Sequence, residues 1–141
     1  MNDSEVLMSL REALRERQDL GLLPCEAEVG RRFQVMVSEI GAPVFRNLVT
    51  VLCLEGLSVH LLMALDESPS YIGLQIDHPP TYLCLWPGPT IHELTTSLQG
   101  GPHPEFRSDR SLSLRGLTPT ILEAATVKQL RLVLCPPEPI I

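Results

Sequence analysis

The chain has 141 residues, of which 44% are hydrophobic and 20% are charged, and its formal net charge at pH 7 is −6. This length fits one domain with its own core, and the composition is that of a globular protein and not of a disordered segment. Proteins that follow a phosphate backbone need clustered Lys and Arg, whereas this chain has a pI near 5.1 and a single lysine, Lys128. We therefore do not expect a nucleic-acid partner.

The cysteines and the N terminus bear on the cellular compartment. The four cysteines are widely separated, with no CxxC pair, at Cys25, Cys53, Cys84 and Cys135. From Met1 onward there is no basic stretch followed by an apolar run and a small-residue cleavage site. The longest apolar segment, residues 48–65, is interrupted by polar residues, so we expect no membrane span. These observations predict a reduced, cytoplasmic protein.

Two helices are predicted at the start of the chain. The first begins with Asn2 and Glu5 in capping-box spacing and ends near Gly21. Its apolar residues recur at helical spacing, at Val6, Leu7, Leu10, Ala13 and Leu14. The second has Pro24 in its first turn and ends at Gly41, with Pro43 just beyond. Its apolar face is predicted at Val29, Phe33, Met36, Val37 and Ile40. Gly30 lies inside this helix and predicts close packing or a local kink, because glycine weakens a helix.

Residues 43–55 have a mixed pattern. Val44, Phe45 and Leu48 have helical spacing, while the β-branched run from Val49 to Val51 suits a strand. We favour a helix that ends at Gly56.

A change to a period of two marks the following strands. Residues 57–65, 71–77 and 81–86 alternate between apolar and other side chains, and turn-rich segments separate them. Residues 90–98 suit either a helix or a strand, and we favour a strand. A short strand follows, with Leu112 and Leu114 directed inward. Short connections favour an antiparallel meander.

The last predicted element is a helix with Thr118 as its N-cap and Pro119 at its first position. We expect it to bury Ile121 or Leu122, together with Ala125, Leu130 and Leu134. The whole pattern predicts an α+β domain over residues 1–135, with a sheet of about four or five strands and helices on one face. Residues 136–141 form a proline-rich C-terminal tail that cannot extend the helix.

The open face of this sheet is the candidate interaction surface. If Leu83 and Leu85 point inward, then Tyr82, Cys84 and Trp86 point outward beside Tyr71. Such a face carries aromatic side chains, which are frequent at protein interfaces, and a large exposed apolar patch is usually covered by something. Its cover would be the first helix, a second copy of the chain, or a partner peptide along an edge strand. We hypothesise an interaction module centred on Tyr71, Tyr82, Trp86 and His60.

The alternative hypothesis is an enzyme or small-molecule-binding protein with a pocket at the corner formed by Pro87, Gly88 and Pro89. Its candidate residues are Cys84, His92 and Asp77, because a reactive thiol needs a nearby base. The common sequence signatures of catalysis are missing. The interaction module is therefore favoured over catalysis.

Metal and anion sites are also disfavoured. His78, Cys84, His92 and His103 have no compact zinc-ligand spacing, so we expect no metal site and no cofactor. The arginines at 107, 110 and 115 form a basic cluster, for which pairing with nearby acids is favoured over an anion clamp.

Overall fold

The computed structural model describes residues 3–20, 23, 26–66, 70–90 and 92–136. Within these residues the fold is α+β: helices come first, a five-stranded antiparallel sheet follows, and a final helix ends the domain. The strands lie side by side in their order along the chain, which confirms the predicted meander. The helices are α1 (Asp3–Asp19), α2 (Glu26–Met36), α3 (Ala42–Leu54) and α4 (Pro119–Leu134). The strands are β1 (Val59–Ala64), β2 (Tyr71–Ile76), β3 (Thr81–Pro87), β4 (Glu93–Gly100) and β5 (Arg107–Ser113).

The predicted end of the second helix at Gly41 and Pro43 is wrong. A π-helical turn, Val37–Gly41, joins α2 to α3, and the N–H of Ala42 donates to the carbonyl oxygen of Val37. Pro43 then occupies the first turn of α3, where a missing N–H is tolerated. The segment with the mixed pattern is accordingly helical, as favoured, and residues 90–98 include a strand, as favoured.

The packing predicted at Gly30 is also wrong. A Cβ added there would have no atom within 4 Å, and α2 runs through this position without a break. At Gly41, in contrast, an added Cβ would lie 3.6 Å from Cδ1 of Leu85, an ordinary van der Waals distance. The π-turn therefore lies beside β3.

The core lies between the helices and one face of the sheet. Thr118 caps α4 as predicted, since its Oγ1 accepts from the N–H of Ile121 at 3.2 Å. The buried Gln129 also ties α4 to the sheet, because its Nε2 donates to the carbonyl oxygens of Thr96 at 3.1 Å and Ser108 at 3.2 Å. The largest fully buried apolar side chains are Phe45, Ile72, Leu74, Ile76, Leu83, Leu85, Leu94, Leu98, Leu122, Val37 and Val44.

One helix among the described residues, Glu28–Leu54, is long and apolar enough to cross a membrane by length and composition alone. This is a weak indication, because the core helix of a soluble protein passes the same test. In this fold Phe33 and Phe45, both within that helix, are buried in the core. The predicted tail falls mostly on residues 137–141, which lie outside the described residues.

Candidate functional site: the aromatic face of the sheet

The strand register decides which side chains of β3 face away from the helices. Leu83 and Leu85 are fully buried in the core cluster that includes Phe45. Alternation along the strand then places Tyr82, Cys84 and Trp86 on the other side. On β2, Gln75 pairs with Tyr82 and Gly73 pairs with Cys84, so these residues share that side. We call the surface formed by Tyr71, Tyr82, Trp86 and His60 the aromatic face.

Tyr71 and Trp86 form a ring pair on this face. Their ring centroids are 5.1 Å apart and their planes are inclined by 44°. Both side chains are half-buried. Tilted aromatic pairs at this distance are favourable beyond the area they bury. The pair therefore offers a preformed apolar contact surface at the Pro87 end of β3.

Tyr82 lies across its neighbouring strand and covers Cys84. A Cβ added at Gly73 would lie only 3.1 Å from the hydroxyl oxygen of Tyr82, so the ring occupies the space above this glycine. The Tyr82 hydroxyl donates to Sγ of Cys84 at 3.6 Å. Cys84 has no exposed surface, and burial raises the pKa of its thiol to about 12. Burial also raises the pKa of Tyr82.

Gly73 is a site residue that sequence reasoning missed. An isolated glycine inside a strand often marks close approach of another group, and that signal was present. Tyr82 pairs in register with Gln75, which lies two residues along β2 from Gly73. Strand alternation alone does not indicate toward which neighbour the Tyr82 ring leans.

His60 lies at the opposite corner of the aromatic face, in a small polar cluster. Its Nε2 is 3.0 Å from Oδ2 of Asp77, and the hydroxyl of Ser58 donates to the same oxygen at 2.8 Å. The hydrogen bonds from His60 and then Ser58 lower the pKa of Asp77. This cluster places the solvent-exposed carboxylate of Asp77 at the edge of the aromatic face.

The structure does not bring Cys84, His92 and Asp77 together. Asp77 follows β2 at the Thr81 end of β3, whereas His92 precedes β4 at the Pro87 end. Cys84 lies between them on β3, and the rise per residue along a strand places it more than about 10 Å from both Asp77 and His92. The ring of His92 instead contacts Nη2 of Arg115 at 3.4 Å.

Among the described residues, the cavity beside the Pro-Gly-Pro corner is too small for a ligand. A cavity lined by Phe33, Pro87, Thr90 and Leu94 has a volume of only about 10 Å³. That is no more than one water molecule requires. Because Cys84, on the strand that ends at Pro87, is buried and its thiol pKa is raised, this geometry gives no support to the pocket hypothesis.

The arginine cluster is divided between the two faces of the sheet. Arg107 pairs in register with Gln99 on the open side, and Arg110 with the buried Thr96 on the core side. Nε of Arg107 is 3.1 Å from Oδ2 of Asp109, so its charge is already paired. Across the described ranges, no three His, Cys, Asp or Glu side chains come together in a group that could hold a metal ion.

The two edges of the sheet differ in chemistry. Edge strand β5 has the sequence RSDRSLS, with three charged residues, whereas edge strand β1 has the sequence VHLLMA, with none apart from a histidine. Charged residues on an edge strand discourage pairing with another chain, and an apolar edge without them permits it. The permissive edge, β1, contributes His60 to the aromatic face and pairs with Tyr71 at Ala64. This edge therefore adjoins the aromatic face.

No protein-family model, curated protein or solved structure matches this chain. Its function is therefore inferred from its own residues.

Proposed function

We propose that the protein is an interaction module that binds an extended segment of a partner protein along β1 and over the aromatic face. The observation that carries this proposal is the contrast between the charged edge at β5 and the apolar edge at β1. Addition of a strand to an exposed sheet edge is a recurrent mode of peptide recognition. Main-chain hydrogen bonds then supply affinity, and alternate side chains supply specificity.

The backbone of β1 has hydrogen-bonding groups directed away from β2. The N–H of Asp77 donates to the carbonyl oxygen of Ser58 at 3.0 Å, which defines a hydrogen-bonded pair between the first two strands. Because such pairs alternate in an antiparallel ladder, the N–H and C=O groups of Val59, Leu61 and Met63 point away from β2. A partner strand would satisfy these groups.

The aromatic face would receive the alternate side chains of that partner. Near β1 it presents Leu62 and Ala64, which pair in register with Gly73 and Tyr71. Further across the sheet, a shallow depression of about 400 Å³ is lined by Asp77, Tyr82 and Gln99 among others. We expect the partner to place apolar residues near Tyr71 and a polar or basic residue near Asp77.

The remaining expectations belong to the same proposal. A reduced, cytoplasmic location is supported by three free cysteines in the described part of the chain, Cys53, Cys84 and Cys135. We propose that the partner is a protein and not a nucleic acid or a membrane. We also propose that no cofactor is bound and that the protein binds its partner without catalysing a reaction. The buried state of Cys84 supports this choice.

The proposal is tested with peptides selected from a displayed library of random sequences against the full chain. Trp86 is the only tryptophan, so its emission reports directly on the aromatic face. We expect selected peptides to shift this emission. We also expect Met63→Pro to weaken their binding by at least about tenfold, because proline removes one outward N–H and is tolerated on an edge strand.

Met63→Thr is the matched control, because it removes the same 44%-exposed side chain and keeps the N–H. Binding should survive in this variant. Peptides that bind Met63→Pro and wild type equally would exclude strand addition at β1. Peptides that leave the Trp86 emission unchanged would exclude the aromatic face.

A further inference from the structure

Helix α1 has an apolar stripe that the rest of its own chain does not cover. Every side chain from Ser4 to Leu20 is exposed, including Val6 at 51%, Leu10 at 54% and Leu14 at 41%. At about 100° per residue these three and Leu7 lie on one side of the helix. Amphipathic helices of soluble proteins normally bury such a stripe. The first helix therefore does not cover the aromatic face and has an unsatisfied surface of its own.

A groove of matching chemistry lies on the outer side of the helical layer, between α3 and α4. It has a volume of about 360 Å³ and is mainly apolar. Its walls include Leu48, Val51 and Leu52 from α3 and Val127, Leu130 and Leu134 from α4. Val51 is 59% exposed, so an apolar side chain already stands unburied in this groove. A groove between two helices is a common receptor for an amphipathic helix.

We infer that the groove is occupied by α1 of a second copy of the chain, and that two copies exchange their first helices reciprocally. The chain's own α1 cannot place the Leu14 end of its apolar stripe in this groove. The N–H of Leu23 bonds to the carbonyl oxygen of Arg17 at 3.2 Å, which leaves two residues between this capped end and Glu26. Leu14 is thus held within about 20 Å of Glu26. Leu48 lies 22 residues beyond Glu26 along the helical segment, which is a distance of about 33 Å.

The area of a reciprocal exchange favours a second copy over a one-way contact. A helix of 17 residues is about 26 Å long and about 10 Å wide, so its footprint is about 260 Å². Two helices and two grooves together bury about 1,000 Å², the lower limit for a specific interface. One helix in one groove would bury half of that. Exchange of identical elements also gives a closed, symmetric dimer.

The charges beside the two surfaces are compatible with this arrangement. Arg11 lies about 40° around α1 from Leu7 and so borders the apolar stripe, whereas Glu12 and Glu16 lie on the far side. The wall of the groove includes one acidic residue, Glu123, and one basic residue, Arg131. Arg11 can meet Glu123 when the helix lies with its basic border on that side, away from Arg131.

The inference is tested by sedimentation equilibrium of the full chain over a dilution series. We expect wild type to dimerise, and Leu10→Asp on the stripe and Val51→Asp in the groove each to raise the dissociation constant at least about 100-fold. Circular dichroism verifies that both variants keep their secondary structure. Both side chains are more than half exposed, so neither substitution places a charge in the core.

Each variant has a matched control on the same helix. Met8 is 51% exposed and lies on the opposite side of α1 from Leu10, and Leu54 is 78% exposed on α3 and is not among the groove residues. Met8→Asp and Leu54→Asp should leave the dimer intact.

Two outcomes would overturn the inference. They are a wild-type chain that stays monomeric at about 1 mM, and a dimer that survives both substitutions. The aromatic face takes no part in this interface, so these outcomes are independent of the peptide-binding test.

Discussion

Cys84 should be one of the least reactive thiols of the chain, and its reactivity measures how well Tyr82 covers it. The thiolate is the reacting form, and burial raises the pKa of this thiol from the usual 9.0 to about 12. At pH 8 an ordinary thiol is about 9% ionised, whereas one with a pKa of about 12 is about 0.01% ionised. The ionised fraction of Cys84 is therefore lower by about a factor of 1,000. The more basic thiolate is the stronger nucleophile, by about 20-fold over three pKa units, so labelling of Cys84 should be slower by about a factor of 50, before any loss from steric exclusion.

The assay uses a chain in which serine replaces every cysteine except Cys84, and a thiol-reactive chromophore in excess. The rate should rise tenfold per pH unit from pH 8 to about 11 without reaching a plateau, as expected for a thiol that stays protonated. A chain that retains only the exposed Cys53 gives the reference rate. Tyr82→Ala should accelerate labelling of Cys84, because it removes the ring that covers the sulfur.

Tyr71→Ala is the control for this second step, because it removes a ring of the same face that contacts Trp86. Its rate should stay close to that of the parent chain. A plateau below pH 9, or a rate within about tenfold of the Cys53 reference, would refute the reasoning and restore Cys84 as a candidate nucleophile.

Four further predictions concern stability. Gly30→Ala should raise the free energy of unfolding by about 0.5–1 kcal/mol, because alanine is the better helix former and its methyl group meets no atom within 4 Å. Gly101→Ala should lower it by about 1–3 kcal/mol, since Gly101 has a φ of +92° and an added Cβ would lie 2.8 Å from a side chain of α4. Urea unfolding measures both, and a destabilised Gly30→Ala would contradict the packing described for α2. Thr118→Ala should cost about 1 kcal/mol in the same assay, because the N-cap acceptor of α4 is lost, and an unchanged value would show that this cap is dispensable. Hydrogen bonds hold the pKa of Asp77 below its usual 3.8 in the folded state, so its contribution to stability is present above pH 3.8 and is lost as the pH falls through the lower folded value. Asp77→Asn should lack this part of the acid-side decline, and identical declines in the two proteins would contradict it.

The elements that the sequence predicts correctly have local signals. The meander follows from a period of two between turn residues, and α4 follows from Thr118 and Pro119 at its start. The outward direction of Trp86 follows from the same alternation. Each of these signals lies within a few residues of the feature it predicts, so no knowledge of distant contacts is needed.

The features that the sequence does not predict depend on distant packing. Gly41 and Pro43 are typical helix-ending residues, yet contacts with Leu85 and the widened turn carry the helix past them. The apolar stripe of α1 predicts a buried face, but amphipathicity does not indicate whether the cover belongs to the same chain. The groove between α3 and α4 is likewise formed by residues that lie about 75 positions apart in the sequence, so no local pattern predicts it.

The π-turn between α2 and α3 has a geometric consequence for the whole helical layer. It holds one residue more than an α-turn, so everything after it is rotated by about 100° relative to an uninterrupted helix. This offset brings the buried side chains of α3, Val44, Phe45 and Leu48, into phase with Phe33 of α2 and Val37 of the π-turn. Deletion of a single residue from Val37–Gly41 would turn Phe45 away from the strands. The extra residue thus keeps the buried sides of α2 and α3 facing the same sheet along one continuous helical segment.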